Sequence, residues 1–539
     1  MRGPTLRILS FNDVYVLENL PRWKTLVRQH AAEAPADATL VVLAGDFLAP
    51  SLLSSLDGGR GMVDCLNDVG VTHVILGNHE DDIPATDLRA RLHELRACCL
   101  GTNLRGFDPP LPVSDMVDLG GDSVRRVRVG LVGIVMSDLA VYRGPPFGGA
   151  ELLPANPAAM REAARLVSEH GCGVVVPITH QPLADDRALA QAWSGSPLPL
   201  IVGGHEHVVM VERSSGTCIV KAGSDATHAA IIDLVWALEA PADGRFDAPT
   251  VTVRTLAVAD YPEDARLRAR VDAHMAKVHA LEHVPLMSLA PGETLSSVGV
   301  RVRQTSMGTL ICSRLRDALA ADVCLFNAGG IRAGRDYTGT VTYGDLKTEV
   351  PFENEVVVVR MSGRVIREAV AASRAHAPEE SGGFLQVDDR TQVTLPGHRV
   401  TKLAGVPLDD DGEYRVALVR NLLDGMDHVL PLAEFAKEHP EKVPPHGAGS
   451  DVKVLLVDAF ARALWTHLGG FDAVDANHDG RVTEDEIADA VGRLTHGQPS
   501  SVAAGLVLHA IDGKRQGAIT PDEVDDARSR SPPGGKDGP

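Results

Sequence analysis

In the first half of this chain a set of Asp, Asn and His residues each follows a short apolar run, and few folds put residues so spaced to use. Leu6–Phe11 precedes Asp13, Leu40–Ala44 precedes Asp46, and His73–Leu76 precedes Asn78 and His79. Val174–Ile178 precedes His180, and Leu198–Val202 precedes His205 and His207. The runs are short, β-branched and alternate with amphipathic stretches, so they read as strands of an α/β domain, with Val127–Val135 a further strand. Open α/β sheets bind ligands beyond the carboxyl ends of their strands, which draws these polar residues to one rim. A strand-end Asp alone is commonly a helix cap, and a single His is commonly structural. The ordered recurrence is what argues for a site.

Carboxylate, amide and imidazole together offer hard oxygen and nitrogen donors, which suit Mn, Fe, Zn, Co or Ni rather than calcium. Gly45, Gly77, Gly203 and Gly204 stand just ahead of the donors and let the backbone turn sharply and approach an ion closely. The order Asp, Gly-Asp, Gly-Asn-His-Glu, Thr-His, Gly-His-x-His resembles the signature of the calcineurin-like metallophosphoesterases, and more narrowly the 5'-nucleotidase family. The resemblance implies a two-metal phosphoesterase in which Asp46 bridges both ions, Asp13 and His207 bind one, and Asn78, His180 and His205 bind the other. It sets His79 beside the phosphate, paired with Asp82. It also implies in-line attack of water, with two ions lowering the water's pKa and clamping the transition-state oxygens while His79 stabilises the phosphoryl charge or protonates the leaving alkoxide. One position departs from the pattern. The family has His two residues after the first Asp, where this chain has Tyr15. Either the Tyr15 phenolate binds a trivalent or strongly Lewis-acidic metal, or its ring packs over the site and one ion is held less tightly. The identity of the two divalent or mixed-valence transition ions stays open on that account.

A second pattern begins near Pro285. Asn327-Ala-Gly329-Gly330-Ile-Arg332 follows the apolar run Val323–Phe326, and its two glycines allow close backbone approach. Arg332 offers a forked guanidinium suited to phosphate or carboxylate. With Val350-Pro-Phe-Glu-Asn354 and Gly382-Gly-Phe384-Leu-Gln386, the order is similar to the C-terminal substrate domain of 5'-nucleotidases. That resemblance implies a base stacked between two rings, the first being Phe384, and a ribose held by an Asp. The second ring is missing: Arg420-Asn-Leu422-Leu423-Asp-Gly-Met-Asp427 puts leucine there, with Asp427 keeping the acidic position. Losing a ring removes about 1–3 kcal/mol of base stacking. Substrate therefore divides between nucleotides and a non-nucleotide (sugar or glycerate) phosphate.

Asp475-Ala-Asn477-His-Asp479-Gly480-Arg481-Val-Thr483-Glu-Asp-Glu486 fits the twelve-residue EF-hand calcium loop at every ligand position, Arg481 through its carbonyl. Helices are expected over Phe460–Asp472 and Asp485–Leu494. A second loop, Asp512 to Glu523, keeps Gly517, Thr520 and Glu523 but has Lys514 and Gln516 where carboxylates are wanted, so it reads as a structural partner. A protein partner recruited through this module is one use for it; calcium regulation or stabilisation are others. A reading from another class makes the chain a calcium-sensing binding protein whose phosphoesterase site is degenerate, with Tyr15 its support.

At 539 residues the chain exceeds one core, since domains run to about 100–200 residues. The divisions expected are a metallophosphoesterase domain over 1–250, a connecting helix within 251–285 (Arg266–His283), a substrate domain over 286–459, an EF-hand pair over 460–528 and a disordered tail over 529–539. The fold class is α/β, an α/β/β/α sandwich, followed by an α+β domain and an all-α pair. A net charge of −20 opposes nucleic-acid polymers and anionic membranes as partners, and obliges any small phosphorylated substrate to meet local cations. Seven cysteines lack zinc-finger spacing, and neither a signal peptide nor a spanning segment is legible, so the expected location is cytoplasmic.

Overall fold

The computed structural model describes residues 3–33, 36–121, 124–142, 145–194, 196–239, 247–352, 354–495, 500–512 and 517–524. Two units divide at Met275 and Ala276.

The strands of the two six-stranded sheets of the first unit are β1 (Thr5–Phe11), β2 (Ala38–Ala44), β3 (His73–Ile75), β4 (Cys98–Leu100), β5 (Ser114–Gly121) and β6 (Val124–Val135). They continue with β7 (Val174–His180), β8 (Leu200–Gly204), β9 (Val209–Ser214), β10 (Thr217–Ala222), β11 (His228–Val235) and β12 (Thr250–Ala257). One sheet runs β12-β11-β1-β2-β3-β4 and the other β9-β10-β8-β7-β6-β5. Strands β1 to β4 are mutually parallel, as are β6, β7, β8 and β10. Antiparallel strands flank both sets.

Alternate residues of each strand meet between the sheets. Leu6 and Ile8 of β1, Val42 and Ala44 of β2, Val129 and Leu131 of β6, and Val174, Val176 and Ile178 of β7 share one buried cluster. The residues between them face outward onto helices. Val132, Ile134, Val175 and Ile201 pack on Ala159, Ala163 and Leu166 of the helix Ala155–His170. On the other side Phe11 stacks on Trp23 of the helix Leu20–Glu33, ring centroids 4.2 Å apart. Parallel strands need crossovers, and helices supplied by those crossovers cover both faces. The result is the α/β/β/α sandwich expected. Burial on both faces is also why these strands read as continuous apolar runs. Among the strands not anticipated, β4 is only three residues long, and β9 lies at a sheet edge with Val211 and Arg213 exposed.

The expected connecting helix spans Ala265–Leu281. In the second unit β13 (Val323–Asn327), β14 (Glu355–Ser362), β15 (Leu385–Val387), β16 (Glu413–Val419) and β17 (Ser450–Asp451) form a sheet ordered β15-β13-β16-β14-β17. A helix over Val452–His467 then packs against the helices Ser306–Ala318 and Ser501–Ile511. It runs through residue 460, where the sequence had suggested a domain division. The single helix expected over Phe460–Asp472 is interrupted, because Gly469 and Gly470 take φ of 94° and 79° and the chain restarts as one turn at Phe471–Val474. Beyond it lie the helix Glu484–Thr495 and an antiparallel bridge between Val482–Thr483 and Ala518–Ile519. Lys514, Gln516 and the tail after 524 lie outside the described residues. Among the described residues no helix is long and apolar enough to cross a membrane.

Candidate metal centre

Strands β1, β2, β7 and β8 deliver their polar residues to one end of the sandwich. Asp13 and Asp46 follow β1 and β2 with φ of 54° and 53°, and His205 follows β8 with φ of 82°. Each of these non-glycine residues in a left-handed conformation costs about 1–3 kcal/mol, a strain that clusters where function demands a particular side-chain direction. His180 is the last residue of β7, and Asn78 opens a tight turn, Asn78–Asp82, just after β3.

The carboxylates are wholly buried and each has an outer and an inner oxygen. Asp13 Oδ2 accepts from Asn12 Nδ2 at 2.6 Å and from the His205 amide at 2.9 Å. Asp46 Oδ1 accepts from the His79 amide at 2.9 Å. Inward, Asp46 Oδ2 lies 3.0 Å from His180 Nε2, and Asp13 Oδ1 lies 4.0 Å from that nitrogen and 3.3 Å from His207 Nε2. Ligand atoms of Asp13, Asp46 and His180 all fall within 4.8 Å of one another. The His205 ring stands 5.5 Å from that of His180. The Tyr15 hydroxyl reaches the same point, 3.3 Å from both inner carboxylate oxygens and 3.1 Å from His207 Nε2. A Cβ at Gly77 would collide with Asp46 Oδ1, and one at Gly204 with the Ala44 carbonyl, so only glycine allows the turns to close this tightly.

Charge in the cluster follows from that geometry. Burial opposes charge on His180, yet Asp46 and Asp13 outweigh it and hold the imidazole up at about 10. His79 is likewise opposed by burial, but Asp46 and Asp82 raise it to about 9, with Nδ1 2.6 Å from Asp82 Oδ2. Burial and the neighbouring His180 push His205 down to about 4, leaving it neutral, the form in which imidazole binds a metal. Burial, with Asp46 and Asp13 beside it, pushes the Tyr15 phenol well up. Two buried carboxylates facing inward, imidazoles around them and backbone packed too closely for any Cβ make a setting that suits cations. Asp13, Asp46 and His180, with Asn78, His205 and His207 on the adjoining loops and Tyr15 in reach, could hold transition ions, a donor set that suits them.

Two supports were not anticipated. Glu80, fully buried, accepts from the amides of Asp46, Phe47, Leu48 and Gly77 at 3.0, 2.6, 2.9 and 2.6 Å, clasping two ligand loops to each other. Lys221, also fully buried, donates to the carbonyls of Gln181 and Gly204 at 2.8 Å each, and pairs with Asp186 at 2.9 Å and with Glu206. It fixes the chain beside His180 and His205. The glutamate of Gly-Asn-His-Glu and a lysine inside Thr-Cys-Ile-Val-Lys-Ala, an otherwise apolar strand, were the available signals.

In the second unit Asn327 Nδ2 donates to Asp427 Oδ2 at 2.7 Å, and the Gly329 amide donates to the Gly382 carbonyl at 2.7 Å, so these motifs do assemble. A Cβ on Gly330 would approach Asn354 at 3.4 Å, and Arg332 Cζ lies 5.5 Å from the exposed Phe352 ring. The expectation for Phe384 needs correcting. It is 1% exposed, with Arg374 Cζ 4.6 Å over its ring, so in this unit it is a packing residue with no face open to a base. Leu422 and Leu423 are buried too. In the Asp475–Glu486 loop, carboxylates fold inward on backbone amides. Asp475 accepts from Asp479 and Gly480, Asn477 Oδ1 from Asp479, Asp479 Oδ1 from Arg481, and Glu486 from Ala476 and Thr483.

Residues 6–209 match the family model for calcineurin-like phosphoesterases, and residues 286–434 match that for the 5'-nucleotidase C-terminal domain. The trifunctional nucleotide phosphoesterase protein YfkN of Bacillus subtilis is 22% identical over 76% of this chain, which spans only 31% of that protein's length. A probable 5'-nucleotidase of Treponema pallidum is 23% identical over 75% of this chain and 80% of its own. Among solved structures, the NAD nucleotidase of Haemophilus influenzae superposes with a TM-score of 0.65 at 15% identity, covering 87% of this chain and 97% of that one.

The clasp made by Glu80 is testable. Glu80→Ala leaves the amides of Asp46, Phe47, Leu48 and Gly77 without their acceptor. The expected result is a transition-metal affinity lower by roughly 10–100-fold, the range for residues that orient ligands, in a variant that still folds. Calorimetric titration of the metal-stripped protein checks this; unchanged affinity would show that the loops hold themselves.

Proposed function

We propose that the chain is a member of the 5'-nucleotidase family of calcineurin-like metallophosphoesterases, a reading supported by the family models matched over residues 6–209 and 286–434, and that it is a two-metal phosphohydrolase releasing phosphate from nucleotides or related small phosphate esters. The observation that carries this reading is the convergence of Asp13, Asp46 and His180 at one buried point. Ions bound there would supply the Lewis acidity that activates a water and neutralises charge on a transferring phosphoryl group. The chain's own part is positional. With His79 Nδ1 engaged by Asp82, the proton it can give a leaving oxygen sits on Nε2, and its raised pKa keeps that proton in place near neutrality. A degenerate site is disfavoured, because the substituted Tyr15 still directs an oxygen into the cluster. The seven cysteines, all free thiols, support a reducing location.

The test is phosphate release from nucleoside monophosphates, cyclic nucleotides and sugar phosphates, with manganese and with or without calcium. Release from a nucleotide is expected, abolished in Asn78→Ala and His205→Ala. The buried Phe384 favours a second reading, a sugar or glycerate phosphate as substrate, and turnover confined to such esters would select it. Release from none of them would sink both.

Tyr15 is a metal ligand in this reading, supported by its hydroxyl lying 3.3 Å from both inner carboxylate oxygens. Phenolate ligation suits a strongly Lewis-acidic ion, so the partner proposed for Tyr15 is a trivalent one such as iron(III). Iron(III)-loaded protein should then carry a phenolate-to-metal absorption band in the visible, missing in Tyr15→Phe. Colourless iron(III) protein would leave Tyr15 as a packing residue.

A calcium ion at Asp475, Asn477, Asp479, Arg481, Thr483 and Glu486 completes the proposal. It is supported by Gly480 turning at φ 79° and by the bridge that joins Val482–Thr483 to the second loop. Glu486→Gln is expected to remove calcium binding while sparing the transition-metal content. A calcium isotherm unaltered by that change would assign the ion to other ligands.

A further inference from the structure

Outside the rim, two more clusters in the first unit bring three ligating groups together: Asp64 with Cys65 and His274, and His73 with Cys98 and Asp115. The first is already neutralised, since Asp64 pairs with Arg270 as well as with His274 at 2.9 Å. A guanidinium fixed on the carboxylate leaves little reason for a cation to enter. Among the described residues no guanidinium or ammonium group pairs with Asp115 at the second.

His73 and Cys98 are register partners on the adjacent parallel strands β3 and β4, so their side chains leave the sheet on the same face. Asp115 comes from β5, the edge strand of the other sheet. The three therefore bridge the two sheets at one margin of the sandwich. His73 Nε2 lies 3.0 Å from Asp115 Oδ2, the same separation that His180 and Asp46 show at the rim. The ring is oriented from behind, with Nδ1 3.0 Å from Thr72 Oγ1, the kind of support that ligating histidines generally have. Asp115 Oδ1 is occupied by the Met116 amide at 2.8 Å, which turns Oδ2 toward the ring. Asp115 is 45% exposed at its side chain, giving an ion a way in, while His73 is buried.

We propose that His73, Cys98 and Asp115 form a separate transition-metal site that takes one zinc-type divalent ion between the sheets. One nitrogen, one sulfur and one carboxylate oxygen are the borderline donors that zinc and cobalt(II) select, and a water fills the fourth position. On binding, the Cys98 thiol releases its proton to solvent and its sulfur forms the bond to the ion, with no change of oxidation state. The ion staples two sheets that otherwise meet through apolar packing.

A spectroscopic probe separates this site from the rest of the chain. The rim offers nitrogen and oxygen donors and the Asp475 loop oxygen alone, so a sulfur-to-cobalt charge-transfer band in the near ultraviolet reports a thiolate ligand and nothing else. The full chain titrated with cobalt(II) is expected to develop that band, to lose it in Cys98→Ser and in His73→Ala, and to keep it in Cys65→Ser. Zinc should also shield Cys98 from alkylation, read by peptide mapping of the native protein. The absence of a band at saturating cobalt overturns the proposal. A band that survives Cys98→Ser but vanishes in Cys65→Ser overturns it as well, transferring the thiolate to the Asp64 cluster.

Discussion

Asp13 and Asp46 each turn one buried oxygen inward, and the organisation of the first unit follows from holding those two like charges in one place. Two unit charges 4 Å apart repel by about 4 kcal/mol even at an effective dielectric near 20. The chain adds strain to that repulsion, since both residues sit at positive φ. Such a pair persists only if the surroundings over-determine it. The outer oxygens are tied to Asn12 and to the His205 and His79 amides, and Asn12 is itself anchored on the carbonyl of Gly223 and the amide of Ala222. What remains is an inward charge that only cations balance, and protons on His180 and His79 serve where nothing stronger is present.

Glu80 and Lys221 carry that logic one layer back. Each is a titratable group with no exposure, and each hydrogen-bonds the backbone of the loops that carry the rim residues, Lys221 pairing with Asp186 and Glu206 as well. Glu80 ties the loop after β2 to the turn after β3. Lys221 ties the chain after β7 to the end of β8. Burying such groups is tolerable only when they are paired or hydrogen-bonded, so removing either side chain strands the backbone groups it satisfies. The rim is thus built on two buried polar clamps. Its precision comes from them more than from the apolar core, which would accept many substitutions of similar volume.

The central strands and the rim were legible because physics imposes a pattern there: strands buried on both faces give apolar runs, and ligands must follow them. Strands β5 and β9 escaped notice because edge strands need not repeat that pattern. The helix break at Gly469–Gly470 was readable in principle, since two glycines in a row disfavour helix, but the apolar spacing on either side masked it. Phe384 shows a different limit. A motif fixes which residue occupies a position but not whether its ring is covered, and the covering residue, Arg374, sits on another element altogether. Glu80 and Lys221 were hidden for a related reason, because burial of a charge is a property of the folded neighbourhood and leaves only a faint mark in sequence.

A net charge of −20 would be expected to repel the phosphate esters that this family's chemistry concerns. The conflict dissolves once distance is considered. At physiological ionic strength charges more than about 8 Å away are largely screened, so an incoming phosphate responds to the local set rather than to the total. At the rim that set comprises the ions that the inward carboxylates would hold, with His79 paired to Asp82 beside them. Without those ions Asp13 and Asp46 would turn the same rim repulsive, so on the proposed function occupancy of the metal site is a precondition for substrate approach as well as for chemistry. On that proposal the acidic surface is no obstacle, because it opposes polyanions, whose many charges meet the whole surface, more than it opposes a small ester that reaches the ions alone.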